Sequence, residues 1–303
     1  MDVTTIDAML LPTDGSDGAL TGASRGLELA QAVGAEVHVL SVVDASELEG
    51  LSGLLESDVA ALRETLESEA EAAVEAVEAS AAERGLELTI TTSVEYGTPF
   101  RVIEQYVETE AIDLVAMGTK GRTGLERILV GSVTENVLRT AEVPVLAVPP
   151  EAADRSLARD AVDGLLLPTD GSEGATAAID WGLGLADTYD AMVHAVFSAD
   201  TKRIGGATDP DGILRELERI GDDALEDVRT RAREQHVSVT GTVASGRPAR
   251  VILDFVERTD SDVVVMGTHG RSGLQRPFLG SVTETVVRGA DVPVLCVPVA
   301  SAD

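Results

Sequence analysis

A glycine-spaced segment occurs twice in this chain. The first copy is Met117-Gly118-Thr119-Lys120-Gly121, then nine residues, then Gly131-Ser132-Val133-Thr134-Glu135. The second is Met266-Gly267-Thr268-His269-Gly270, again nine residues, then Gly280-Ser281-Val282-Thr283-Glu284. Each copy follows an apolar run and precedes a helix-like run. A glycine loop between a strand and a helix N-terminus is a candidate phosphate cradle. A lone Gly-x-x-Gly is usually a plain turn; two complete copies in register argue for a motif.

The duplication organises the whole chain. Leu11-Pro12-Thr13-Asp14-Gly15-Ser16 returns 156 residues later as Leu167-Pro168-Thr169-Asp170-Gly171-Ser172. The glycine segments, and Val143-Pro144-Val145-Leu146 with Val292-Pro293-Val294-Leu295, recur at an offset of 149. The second copy is therefore seven residues shorter, between Asp200 and Gly246. Two homologous domains are expected, 1–150 and 151–303, each of an ordinary domain size. The link, near 149–161, is rich in Ala, Asp and Arg and has no apolar period.

Apolar strand runs alternate with helix patterns in each half. Strands are expected at 6–11, 37–43, 88–94, 114–117 and 143–148, and helices at 17–33, 56–84, 99–108 and 133–140. The second half repeats the series, with 263–266 and 292–297 as its last strands. In the Ala/Glu-rich helix, Leu66, Ala70, Ala73, Val74 and Val77 fall near one face, as in a helix that covers a sheet. This alternation predicts an α/β fold, two tandem doubly wound domains with parallel sheets covered on both faces. Ligands on such sheets bind beyond the carboxyl ends of the strands, where strand order switches. Both Pro-Thr-Asp-Gly-Ser and the glycine segment follow strands, so both belong at that edge.

Charge narrows the partners. The formal net charge is −30 over 303 residues, and of the 23 basic residues only Lys120 and Lys202 are lysines. A basic stripe is missing, so nucleic acid is not an expected partner. The chain is 44% hydrophobic with clear periodic segments, which argues against disorder. The remaining reading is salt adaptation, with acidic self-repulsion screened where the Debye length is about 3 Å at molar salt. A cytoplasmic protein of an extreme halophile is expected. No apolar run approaches the ~18 residues of a membrane span, and no secretory leader is expected at the N-terminus. Cys296 lies in an apolar strand pattern and reads as a core residue.

Gly118 and Gly121 lack a Cβ, so their amides can approach a phosphate oxygen. Ser132 with Glu135, and Ser281 with Glu284, fit a capping box at the start of a helix whose N-terminus favours anions. Ser132 and Thr134 would add hydroxyl donors. Asp14 and Asp170 read as contacts to a ribose, base or metal, against the alternative of an Asx turn. His38 and His194 are repeat equivalents and read as structural. His269 stands where the first copy has Lys120, and reads equally as a phosphate contact or as an exposed loop residue. The chain shows neither a P-loop nor a Cys/His metal cluster, and no local motif suggests a catalytic triad.

Gly-x2-Gly-x9-Gly-Ser, followed by Val-Thr-Glu and Val-Pro-Val-Leu, with Pro-Thr-Asp-Gly-Ser near each N-terminus, resembles the ATP-binding universal stress protein family over nearly the whole chain. The resemblance implies Rossmann-like parallel sheets of order 3-2-1-4-5. It implies ATP, often with Mg²⁺ or Mn²⁺, between the end of the first strand and the glycine loop. The matching positions are Pro12, Thr13, Asp14, Val42, Met117, Gly118, Gly121, Gly131, Ser132, Val133 and Thr134. In the second half they are Pro168, Thr169, Asp170, Met266, Gly267, Gly270, Gly280, Ser281, Val282 and Thr283. The second half departs from the pattern at Ser198, where the first has Val42, and at Pro277 beside Phe278. The family also implies pairing of last strands, here 143–148 with 292–297 as an intramolecular pseudo-dimer, with a further homodimer as an option. An ATP-binding regulatory module in stress response, acting on an unknown protein partner, is the leading expectation. A slow ATPase or self-phosphorylating enzyme and a nucleotide-free scaffold are the alternatives; no catalytic residue is assigned. The segments 45–56 and 201–211 differ between halves and are candidate determinants of partner choice.

Overall fold

The computed structural model describes residues 5–44, 56–121, 130–200, 210–270 and 279–299. Pro277, Phe278 and most of the two candidate partner segments lie outside these residues. The chain divides into two compact units, with the boundary between Pro150 and Glu151.

In the first unit the order is β1 (Ala8–Pro12), α1 (Asp17–Val33), β2 (Glu36–Asp44), α2 (Glu56–Glu83), β3 (Ile90–Gly97), α3 (Pro99–Thr109), β4 (Leu114–Gly118), α4 (Ser132–Thr140) and β5 (Val145–Val148). The strands run parallel in the order β3-β2-β1-β4-β5. Leu10 pairs with His38 on one side and Val115 on the other. β1, β4 and β5 are buried at every residue, because helices cover both faces. β3 lies at an edge and has no fully buried residue, with Thr91, Thr92, Glu95 and Tyr96 exposed. Helices α1 and α2 pack together, as do α3 and α4.

Local chemistry sets the helix ends. Ser16 caps α1, accepting from the Ala19 amide at 3.3 Å, and Gly34 closes it in the left-handed region at φ 79°. On α2 the apolar face is Ala70, Ala73, Val74, Val77 and Ala81, all 5% exposed or less, with Leu66 half-buried. Each fully buried Leu of β1 contributes about 2 kcal/mol of transfer free energy.

The second unit repeats the plan: β6 (Gly164–Thr169), α5 (Glu173–Tyr189), β7 (Met192–Ala199), α6 (Pro210–Glu234), β8 (Val239–Ser245), α7 (Pro248–Thr259), β9 (Val263–Gly267), α8 (Ser281–Gly289) and β10 (Val294–Val297). Its parallel order is β8-β7-β6-β9-β10. Cys296 is fully buried in β10, and burial pushes its thiol up to about 12.

The link differs from the irregular segment expected. A 3₁₀ turn at Pro150–Asp154 leads into a stretch seated on the second unit. Ala152 and Leu157 are 0% and 1% exposed, and the Tyr189 hydroxyl donates to the Leu157 carbonyl at 3.0 Å. Arg155 reaches Asp260 at 3.5 Å and Asp291 at 3.9 Å. Apolar anchors and the two Arg155 ion pairs hold it without any helical or strand period.

Candidate functional site

The order of strands in the first unit reverses between β1 and β4, so the loops leaving these two strands border one crevice. Beyond β1 the Thr13 amide donates to the Leu40 carbonyl at 2.8 Å, which holds Thr13 against β2. Asp14 then makes the Asx turn: its Oδ1 accepts from the Ser16 amide at 3.0 Å and from the Ser16 hydroxyl at 2.5 Å. Its Oδ2 faces the glycine loop, where a Cβ placed on Gly121 would stand 3.0 Å away. The turn and the ligand-edge position therefore coexist. Asp170 does the same, with Oδ1 on the Ser172 amide at 3.0 Å and Oδ2 beside Gly270.

The glycine loop is pinned at both ends. The Thr119 amide donates to the Val148 carbonyl at 2.9 Å, and the Gly131 amide donates to the Thr119 carbonyl at 2.7 Å. These bonds bring the end of β4 to the start of α4. Gly131 is the N-cap, at φ −66° and ψ 148°, and no side chain caps the helix. The expected capping box does not form: Ser132 is already the first helical residue, so its hydroxyl cannot occupy the cap position. The same holds at Gly280 and Ser281. The first turn of each helix therefore keeps backbone N–H groups without a side-chain cap, at its positive end.

Thr134 is committed differently from the expected donor role. Its buried hydroxyl donates to the Gly118 carbonyl at 2.8 Å, and Thr283 donates likewise to Gly267 at 2.8 Å. Ser132 and Ser281 are exposed at the helix starts, with Val133 and Val282 half-buried beside them. Met117 is 5% exposed in β4 and Pro12 is buried at the end of β1, whereas Pro168 is half-buried. Val42 is half-buried near the end of β2. Its counterpart Ser198 donates to the Gly246 carbonyl at 3.1 Å.

Thr119 and Thr268 were legible only as unassigned letters within Gly-x-x-Gly. Thr119 is 1% exposed, and its Oγ1 has no hydrogen-bond partner among the described residues. A buried hydroxyl left this way costs about 1–3 kcal/mol. Thr268 Oγ1 instead lies 3.0 Å from His269 Nδ1, and in that half it is His269 Nε2 that is buried without a partner among the described residues. His269 is thus half-buried within the loop, not an exposed loop residue.

His38 and His194 are structural. His38 Nδ1 meets the Tyr106 hydroxyl at 3.0 Å, with the rings edge-on. His194 Nδ1 meets Thr240 Oγ1 at 3.0 Å, and burial holds its imidazole below the ordinary value. Among the described residues no three His, Cys, Asp or Glu side chains are grouped to hold a metal ion. Nor is any helix among them long and apolar enough to cross a membrane.

The model of the Universal stress protein family matches residues 5–149 and again 163–298. Universal stress protein MJ0531 of Methanocaldococcus jannaschii is 40% identical over 136 residues, covering 44% of this chain and 80% of that protein. Universal stress protein Rv2005c of Mycobacterium tuberculosis is 30% identical over 221 residues, covering 72% of this chain and 71% of its own length. A solved universal stress protein from Archaeoglobus fulgidus superposes with a TM-score of 0.69 at 23% identity, over 96% of this chain and 98% of that one. At that identity the superposition speaks for the fold.

Proposed function

Because this chain belongs to the universal stress protein family, with each half matching it separately, we propose that it is an ATP-binding regulatory protein. Nucleotide occupancy of the glycine loops orders the crevice edge and changes binding to a protein partner. The observation that supports this most directly is Thr119: a fully buried hydroxyl, unpartnered among the described residues, at the base of a loop pinned against an uncapped helix N-terminus. A phosphate chain supplies acceptors to helix amides and to a hydroxyl, and the N-terminus favours its charge. In a chain of net charge −30 such local donors are what an anionic ligand needs.

Asp14 Oδ2, facing Gly121, sits at the opposite wall, where it suits a ribose hydroxyl or the cation carried by the phosphates. Mg²⁺ or Mn²⁺ would arrive on the nucleotide, since the described residues hold no side-chain cluster for a metal. Val42 offers an apolar contact for the adenine. The acidic composition supports a halophilic cytoplasmic setting, away from membranes and nucleic acid. The protein partner would read the loop state.

The test is calorimetric titration with ATP in molar KCl and Mg²⁺, on the wild type, Gly131→Val and Gly280→Val. A Cβ at Gly131 would meet the Thr119 carbonyl at an ordinary 3.5 Å, so the fold tolerates the change while the side chain fills the cradle. Loss of the first-half site in Gly131→Val is the expected result, with Gly280→Val reporting on the second. A folded wild type that takes up no ATP would overturn the reading.

A further inference from the structure

The face of α1 that meets β4 is built of glycine. Gly18, Gly22 and Gly26 stand four residues apart. A Cβ at Gly22 would overlap the backbone of Met117 and Gly118, and one at Gly18 would overlap the Lys120 carbonyl. Conversely, a Cβ at Gly118 would overlap the Gly18 carbonyl. Main chain therefore rests directly on main chain where β4 turns into the loop.

The second half breaks this arrangement at one place. Gly18 returns as Gly174 and Gly26 as Gly182, but Gly22 returns as Ala178. Ala178 is 1% exposed, and it stands at the position where a Cβ on Gly22 would overlap the backbone of β4. The clearances on that side widen. A Cβ at Gly174 would stand 2.6 Å from the His269 carbonyl, and one at Gly267 2.6 Å from the Gly174 carbonyl, both further than in the first half. On the other side the loop closes. A Cβ at Gly131 would lie 3.5 Å from the Thr119 carbonyl, whereas one at Gly280 would lie 2.8 Å from the Thr268 carbonyl. The hydrogen bond beneath is kept in both halves, at 2.7 Å and 2.9 Å. What differs is how closely the described ends of the loop approach the helix on each side.

We infer that residue 22, and its counterpart 178, set the aperture of the phosphate cradle, and that the first half holds the stronger nucleotide site. Gly22 lets the first loop settle onto α1, which leaves room between Thr119 and Gly131 for a phosphate oxygen. Ala178 holds the second loop off α5 and tips it over the N-terminus of α8. The side-chain hydrogen bonds point the same way. Thr119 Oγ1 is buried and unpartnered among the described residues, while Thr268 Oγ1 is already taken by His269. The hydroxyl at the base of the first loop is thus open to a ligand, whereas in the second that hydroxyl is engaged and the unpartnered buried atom is His269 Nε2, one residue further along. Gly22 and Ala178 are positioning residues, acting through the loop backbone. The inference rests on the nucleotide reading for its ligand, but the aperture itself can be measured without one.

The experiment compares the wild type, Gly22→Ala and Ala178→Gly, each as the full chain in molar KCl, by amide NMR without nucleotide and then by ATP titration. Expected without nucleotide are shifted amides at Thr119, Gly121 and Gly131 in Gly22→Ala, and at Thr268, Gly270 and Gly280 in Ala178→Gly. On titration the wild type shows unequal sites. Gly22→Ala weakens the tighter one by about tenfold, the worth of one hydrogen bond, and Ala178→Gly strengthens the weaker one by a similar factor. Ala178→Gly removes only a methyl, so it remains informative if Gly22→Ala fails to fold. Loop amides that do not move in either folded variant overturn the aperture role, whatever the titration gives. Two equal wild-type sites overturn the ranking of the halves. Amides that move in proteins that bind no ATP leave the aperture standing and defeat the nucleotide reading.

Discussion

Thr134→Val separates a latch from a ligand donor. The Thr134 side chain is 4% exposed, and its hydroxyl donates to the Gly118 carbonyl at 2.8 Å, across the turn from β4 to α4. Valine keeps the shape and the β-branch but removes the hydroxyl and puts a methyl against a carbonyl. A net hydrogen bond contributes roughly 0.5–1.5 kcal/mol, and a buried carbonyl that loses its donor adds to the loss, so a cost of about 1–2 kcal/mol is expected. For a unit of this size each kcal/mol lowers the melting temperature by about 2–4 °C. The measurement is denaturant unfolding in molar KCl, where the midpoint falls and the slope stays constant, since little surface changes. ATP affinity measured alongside should fall only modestly, through the loosened loop. Unchanged stability with a large loss of ATP affinity would refute the reasoning, because it would mean that the hydroxyl serves the ligand and not Gly118. Thr283→Val should repeat the effect in the second unit, through Gly267.

Three further outcomes are expected. Unfolding midpoints should rise steeply from low to molar KCl, because a net charge of −30 is screened only in salt; a midpoint independent of KCl would remove the halophilic reading. Ser16→Ala should destabilise the first unit by about 1 kcal/mol through loss of the α1 cap, and calorimetry showing no change would contradict that role. Stability should also fall as pH rises from 9 towards 12: the buried Cys296 thiol keeps its proton up to about 12 in the folded state. The unfolded thiol ionises from its ordinary value, so the unfolded state binds fewer protons, which costs the fold up to about 1.4 kcal/mol per pH unit. The part of that slope due to Cys296 should vanish in Cys296→Val.

The repeat, the alternation of strands with helices and the sheet edge at which the Pro-Thr-Asp-Gly-Ser and glycine segments lie were all legible in the residues. The α1 range of 17–33 was read directly, because Ser16 and Gly34 bracket an unbroken apolar period. The third strand was expected at 88–94 and lies at Ile90–Gly97, because an edge strand with a Thr- and Glu-bearing exposed face shows only weak alternation. Other features had no local signal. Ser132-x-x-Glu135 has the letters of a capping box, yet the bond from Gly131 to the Thr119 carbonyl starts the helix one residue earlier. Thr134 looked like a donor to ligand until the fold brought the Gly118 carbonyl to it. The link showed no period because it is held by single anchors, Ala152 and Leu157.

By itself the sequence determined the two-fold α/β repeat and the family it resembles, since periodicity and glycine spacing are properties of neighbouring residues. Only the tertiary structure decided which polar groups are already spoken for. Thr134 is taken, Thr119 is buried without a partner among the described residues, and Thr268 is held by His269. It alone showed that the clearances of the two loops differ, in the halves where Gly22 and Ala178 stand at equivalent positions. Such facts depend on distances between segments remote in the chain, and burial makes each missing or added contact cost energy that water would otherwise absorb.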